Sequence, residues 1–152
     1  MSDKTLEQRI TALEDQAAIE QLRHRYWLSL LDKNVDELVN SFVEDARLEY
    51  GFGIVLEGKA AIEEFFHSLL DSPDLIRQVP RGANRQIALL DEATAKGRWL
   101  VEVVVMRENE EKGTRIGVQY LEDYRKVEGQ WKIAAMKNDY LSFETVDLKD
   151  GP

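Results

Sequence analysis

The residues able to move a proton or hold a negative oxygen mostly break stretches that otherwise read as buried. Residues 114–126 alternate, and one face reads Ile116, Val118, Tyr120, Glu122, Tyr124. A carboxylate on such a face must be paired, protonated or set against a cavity, because an unpaired buried charge is costly. A salt bridge to Arg98 or Arg125, or a strand end in water, would account for Glu122 without chemistry. Asp139 occupies the row Trp131, Ile133, Ala135, Lys137, Asp139, Leu141. It either continues that row toward a cavity or ends it in solvent. Tyr26 falls on the apolar side of a long helical stretch, and Tyr50 ends the first extended one. Two phenols aimed at one cavity can hydrogen-bond a carbonyl or a developing enolate oxygen. As packing residues, each would need only one satisfied hydroxyl.

Positive donors concentrate at residues 78–87, QVPRGANRQI, which holds Arg81 and Arg85 and no acid in a chain of net charge −9. The segment reads as a turn, an anion clamp or a pocket rim. Within 94–107, the row Ala95, Gly97, Trp99, Val101, Val103, Val105 is apolar, while Arg98, Leu100, Glu102, Val104, Met106 is mixed. The mixed row faces either a pocket or a subunit partner. Arg81, Arg98, Glu102 and Trp27, which neighbours Tyr26, are the ligand-binding candidates. His24 and His67 lie among charged helical neighbours and read as surface residues.

These side chains need elements to position them. Leu6, Ile10, Leu13, Ala17, Ile19, Leu22, Tyr26 and Leu30 recur mostly at helical spacing, predicting a helix over 6–31 with Thr5 as N-cap and a break near Asp15. DKN at 32–34 is turn chemistry, VDELVNSF opens a short helix, and 46–56 reads as extended with a bend at GFG. Residues 58–70 form an amphipathic helix on Ile62, Phe65, Phe66, Leu69 and Leu70. From there the period changes to two, predicting strands at 84–90, 94–107, 114–126 and 131–143 joined by short charged or glycine-containing turns. Helices followed by an antiparallel meander give an α+β fold, with a curved sheet wrapped around the N-terminal helices and room for a ligand between them.

At 152 residues the chain reads as one domain, 1–152, and 43% hydrophobic with 32% charged residues is an ordinary globular composition. No cysteine is present, which excludes disulfides, thiolate ligands and a cysteine nucleophile. Two histidines without zinc-type spacing predict no metal site, and no cofactor is expected. The acidic balance argues against nucleic acid and anionic membrane partners. With no signal-like segment at the N-terminus and no long apolar run, a cytoplasmic location is expected.

AAIEQLRHRY, DELVNSFVEDARLEY, LEGKAAIEEFF, ATAKGRW and DYRKVEGQWKI, in this order over residues 12–143, resemble the SnoaL-like branch of the NTF2-like superfamily. That group includes scytalone dehydratase, bile acid dehydratase, ketosteroid isomerase, polyketide cyclases and limonene epoxide hydrolase. The resemblance implies a cone-shaped α+β fold, a homodimer or homotrimer and a deep apolar cavity. It also implies catalytic roles for Tyr26 and Tyr50, which match the two tyrosines of the dehydratase-like members. The aspartate of the family's His–Asp pair would fall at Leu31, with Asp32 one residue later, so Asp32 reaches the cavity only if the helix end unwinds. The histidine would fall near Pro80 and Arg81, and Asn84 matches a common asparagine position. The pair itself is not visible, and Arg81 would then stand as a fixed positive donor. Glu122 matches the second acid of the steroid isomerases. Asp139 and Arg98 match two members of the epoxide hydrolase set, with Glu102 as a substitute for the third.

Three functions follow from this reading. The first is a cofactor-independent lyase or isomerase acting on a small hydrophobic oxygenated ring compound. Glu122, Asp32 or Asp139 would move the proton, and Tyr26, Tyr50 and Arg81 would hold negative oxygen. The second is a non-catalytic binding protein using the same cavity. The third is epoxide hydrolysis through Asp139, which requires that residue to face inward.

Overall fold

The structure, a computed structural model, describes residues 3–147. Helix α1 runs unbroken over Leu6–Asp32. Thr5 opens it with a reciprocal cap: its side chain accepts from Gln8 N at 3.1 Å, and Gln8 accepts from Thr5 N at 2.9 Å. The expected break near Asp15 is absent. Instead Asp15 is buried and accepts from Trp131 Nε1 at 2.9 Å, with Lys126 Nζ at 2.8 Å. Leu6, Ile10 and Leu13, expected on the apolar side, are exposed, and the buried stripe of α1 begins at Asp15 and Ile19. Lys33 closes the helix in the left-handed region, so its end does not unwind.

A short helix, α2 (Val35–Val39), starts at Asn34, whose side chain accepts from Glu37 N. Helix α3 (Lys59–Leu70) buries Ile62, Phe66 and Leu70, the face its spacing predicts. Six strands, β1 (Phe42–Gly51), β2 (Ile54–Glu57), β3 (Leu75–Leu89), β4 (Thr94–Arg107), β5 (Lys112–Val127) and β6 (Gln130–Asp147), form one sheet in the order β2-β1-β6-β5-β4-β3. All neighbours are antiparallel except β1 and β6, so the curved, unclosed sheet is mixed. The α+β fold is as the sequence indicates.

β3 begins nine residues before the expected start, and QVPRGANRQI lies inside it. Proline is tolerated here because β3 is an edge strand with one side free of ladder bonds. A bulge between Ala83 and Gln86, with Asn84 at φ 50°, bends the strand.

On β4 and β5 the apolar rows face the helices as expected, and the mixed row of β4, including Arg98 and Glu102, faces away. β6 does not follow simple alternation. Opposite Asp123 and Tyr124 it carries one extra residue, so Trp131 and Ile133 point inward, and then Met136 and Asn138 do. A second extra residue opposite Gly117 and Val118 shifts the register again. Among the described residues, no helix is long and apolar enough to cross a membrane.

Candidate functional site

Every major element contributes to one cavity between α1, α3 and the sheet. α1 supplies Tyr26 and Leu30, β1 Tyr50, α3 Phe66 and β3 Gln78. Val103 and Val105 come from β4, Tyr120 with Ile116 and Val118 from β5, and Asn138 with Tyr140 from β6. Its volume is about 50 Å³, the room of one or two waters. A ring compound therefore enters only if the wall moves. Tyr140, one of the half-buried wall residues, stacks on exposed Phe143 at 5.6 Å and lies tilted against exposed Phe52 at 4.8 Å between ring centres. Gly51 at the strand tip admits this ring, since a Cβ there would stand 2.4 Å from Tyr140 Cε2.

The cavity presents phenols and carboxamides, and among the described residues no ionised side chain lines it. Burial pushes the hydroxyl of Tyr26 well up from its ordinary value, with Tyr120 adding to the shift and Arg23 opposing it. Burial likewise raises Tyr50, Tyr120 and Tyr140. All four are neutral donors near pH 7. Tyr50 donates toward Tyr140, which also receives from Asn138. The Asn138 Oδ1 is buried without a partner, an acceptor left for a bound hydroxyl or water.

Behind Tyr26 and Tyr120 lies a fully buried ion pair. Arg23 Nη2 and Glu122 Oε1 are 3.2 Å apart, both side chains at 0% exposure. The approach is off the line of a hydrogen bond, and Arg23 Nε and both Glu122 oxygens lack well-aligned partners. Aromatic faces compensate. The guanidinium sits 4.4 Å from the Tyr26 ring centre, 4.5 Å from Trp27 and 5.0 Å from Tyr120. Burial raises the Glu122 carboxyl above its ordinary value, opposed by Arg23 and by a loose contact from Tyr124. Tyr124 in turn accepts from Trp99 Nε1 at 2.9 Å. Two glycines make this packing fit. A Cβ on Gly82 would fall 2.0 Å from Trp27 Cη2, and one on Gly97 would fall 2.6 Å from the Tyr124 hydroxyl.

The structure thus gathers Tyr26, Tyr50, Trp27 and Glu122 at or beside the cavity and disperses the other candidates. Asp32 lies outside the cavity wall, because the helix stays wound through it. Asp139 is exposed, turned outward by the β6 bulge, and accepts from Gln119 Nε2 at 2.6 Å, while Gln119 accepts from Arg98 Nε at 3.0 Å. That corrects the inward reading of Asp139 and Arg98, and it removes the condition on which epoxide hydrolysis rested. Glu102 lies on the same outer face with Arg115 at 3.7 Å and Arg81 at 3.8 Å. Arg81 is 70% exposed there, so it is not a donor into the cavity. Asn84 is exposed at the β3 bulge. The basic segment instead ties elements together: Arg85 pairs with Glu20 of α1, and Gly82 receives Trp27.

Sequence reasoning passed over Arg23, Tyr120, Gln78, Asn138 and Tyr140. Arg23 was legible, being four residues after Ile19 and three before Tyr26 on the buried stripe. It interrupts an apolar row as Glu122 does. Tyr120 stands on the Glu122 row itself. Asn138 and Tyr140 were hidden by the bulges.

The SnoaL-like domain family matches residues 11–137. The fold is also that of several solved proteins. A protein of Novosphingobium aromaticivorans, provisionally described as a scytalone dehydratase, superposes with a TM-score of 0.84 at 21% identity, covering 95% of this chain and 99% of that one. The hexachlorocyclohexane dehydrochlorinase LinA-type3 of Novosphingobium barchaimii gives 0.79 at 16% identity, covering 91% and 94%. A ketosteroid isomerase-like protein of Erwinia carotovora gives 0.70 at 17%, covering 83% and 95%.

Proposed function

We propose, for a chain that belongs to the SnoaL-like domain family, a cofactor-independent lyase or isomerase acting on a small hydrophobic oxygenated ring compound. The observation that carries this reading is the convergence of four neutral phenols with Asn138 and Gln78 on one small, otherwise apolar cavity. Similar proteins described as a dehydratase, a dehydrochlorinase and isomerase-like support the reaction class. In this reading Tyr26 and Tyr50 hold the carbonyl oxygen as it gains charge on forming an enolate, and Asn138 Oδ1 accepts from a substrate hydroxyl. Removal of one such donor lowers turnover by about 10²-fold. Glu122 touches no substrate. It holds Arg23 against Tyr26, and the proton leaving carbon goes to water at the cavity mouth. For a β-hydroxy ketone, holding the oxygen lowers the barrier to loss of the α-proton. As the enolate collapses to the enone the β-carbon–oxygen bond breaks, and the departing hydroxide takes a proton from the water that received the α-proton and leaves as water.

A second reading, ligand binding without turnover, is favoured by one fact: among the described residues no carboxylate or imidazole lines the cavity. The two separate with 3-hydroxycyclohexanone as probe, following cyclohexenone by its ultraviolet absorbance. The lyase reading expects product formation above background, lowered about 10²-fold by Tyr26→Phe or Tyr50→Phe. Binding of the probe without product would leave the binding function, and neither binding nor product would remove both.

A further inference from the structure

We infer that Asp36, Glu63 and His67 form a site for a divalent transition cation of the zinc class, bridging α2 and α3. One ligand atom from each lies within 4.8 Å of the others, and His67 Nε2 stands 3.9 Å from Glu63 Oε1. Glu63 and His67 are one helical turn apart on α3, and Asp36 reaches across from the first turn of α2. A tetrahedral ion with bonds of about 2.1 Å needs its ligand atoms about 3.4 Å apart. The three side chains are exposed, so side-chain rotation is what must close that gap.

Two further features separate the trio from an ordinary acidic surface. The other ring nitrogen of His67 is held by Asp71 Oδ2 at 2.8 Å. That is the carboxylate–histidine arrangement which orients a ligating imidazole and leaves Nε2 facing the acids. Among the described residues, no lysine or arginine pairs with Asp36, Glu63 or Asp71. The nearby Lys59 points to Glu44 instead, at 3.5 Å. A mixed imidazole and carboxylate set suits zinc-like ions better than magnesium. The site is outside the cavity but coupled to it. α3 also carries Phe65 and Phe66, whose rings pack on Tyr50 at 4.7 Å and on Tyr26 at 6.3 Å. A bound ion would fix α3 against α2 and so fix that wall.

The test is calorimetric titration of the tag-free full chain, stripped with chelator, using zinc chloride and magnesium chloride. The expected result is one zinc per chain with a dissociation constant of about 10 µM or tighter, and no magnesium binding at about 1 mM. His67→Ala and Asp36→Asn each weaken zinc binding by about tenfold or more, and Asp71→Asn weakens it by about tenfold. His24→Ala changes nothing. No zinc binding by the wild type at about 1 mM, magnesium affinity equal to that for zinc, or a His67→Ala protein that binds as the wild type does would each overturn the site.

Discussion

Arg23 and Glu122 show how a single pair can be both a cost and a requirement. Two charges withdrawn wholly from water lose solvation that one poorly aligned ion pair repays only in part. Aromatic faces around the guanidinium supply part of the remainder. Removing one partner strands the other. Arg23→Met is expected to lose about 3–5 kcal/mol in urea denaturation at pH 7, whereas Arg23→Met with Glu122→Leu regains most of it. The loss depends on pH. The Glu122 carboxyl is already raised by burial, and without Arg23 it rises further. Below its ordinary value the group is protonated whether folded or unfolded, and the variant's deficit is smallest. Once pH passes the wild type's raised folded value, Glu122 ionises beside Arg23 in the folded wild type but stays protonated in the folded variant, and the deficit grows. A deficit independent of pH would contradict this. The sequence disclosed Glu122 as an anomaly because strand alternation is rigid. It disclosed Arg23 equally, but within the run Arg23, His24, Arg25 a cation is easily taken for solvated surface, although Ile19 and Tyr26 already mark that stripe as buried.

Elements place these residues through a few close approaches. The edge strand β3 comes near enough to α1 for the Trp27 indole to lie over Gly82, and Trp27 packs edge-on against Trp99 at 5.1 Å. Any side chain at 82 collides with that ring, which is rigid and walled in by Arg23. Gly82→Ala is expected to destabilise by about 1–3 kcal/mol, read as a lower urea midpoint with unchanged slope. Gly53→Ala, which has open space around its Cβ, is the comparison. The extents of α3, β4 and β5 were legible because their hydrophobic periods are clean; those of α1 and β6 were legible in outline, although the first turns of α1 are exposed and bulges break the alternation of β6. The early start of β3 was not, since Pro80, Gly82 and two arginines read as a turn when neither face of an edge strand is deeply buried. The direction of Asp139 was not legible either. Bulges add residues without any marker in composition, and one extra residue reverses every side chain beyond it.

Across the whole molecule, α1 is anchored at both ends of the sheet, with Asp15 at one end holding Trp131 and Lys126. Burial alone would raise the Asp15 carboxyl, but hydrogen bonds from Lys126 and Trp131 outweigh it and hold the group below its ordinary value of 3.8. A depressed carboxyl stabilises the fold above 3.8 and loses that contribution as pH falls through the lower folded value. The stability gap between wild type and Asp15→Asn is therefore expected to be largest at neutral pH and to shrink in acid below 3.8. Urea midpoints at neutral pH and at about pH 3 check it, and a gap that widens in acid would contradict it. The fold class was legible because helices preceded a period-two region. The cavity's chemistry was legible only in outline: Tyr26 and Tyr50 stood at marked positions while Tyr120 and Tyr140 did not, and the acids assigned to it mostly face the solvent.

The central claim is that neutral phenols in this cavity hold a ligand oxygen. Its most direct measurement is the affinity of 4-nitrophenol for the wild type, Tyr26→Phe and Tyr50→Phe, followed by the absorbance of the bound chromophore. The account expects one site per chain, with each substitution weakening binding by about tenfold through the loss of one hydrogen bond while the urea midpoint stays near that of the wild type. Equal affinity in all three proteins, or no binding by the wild type, would contradict it.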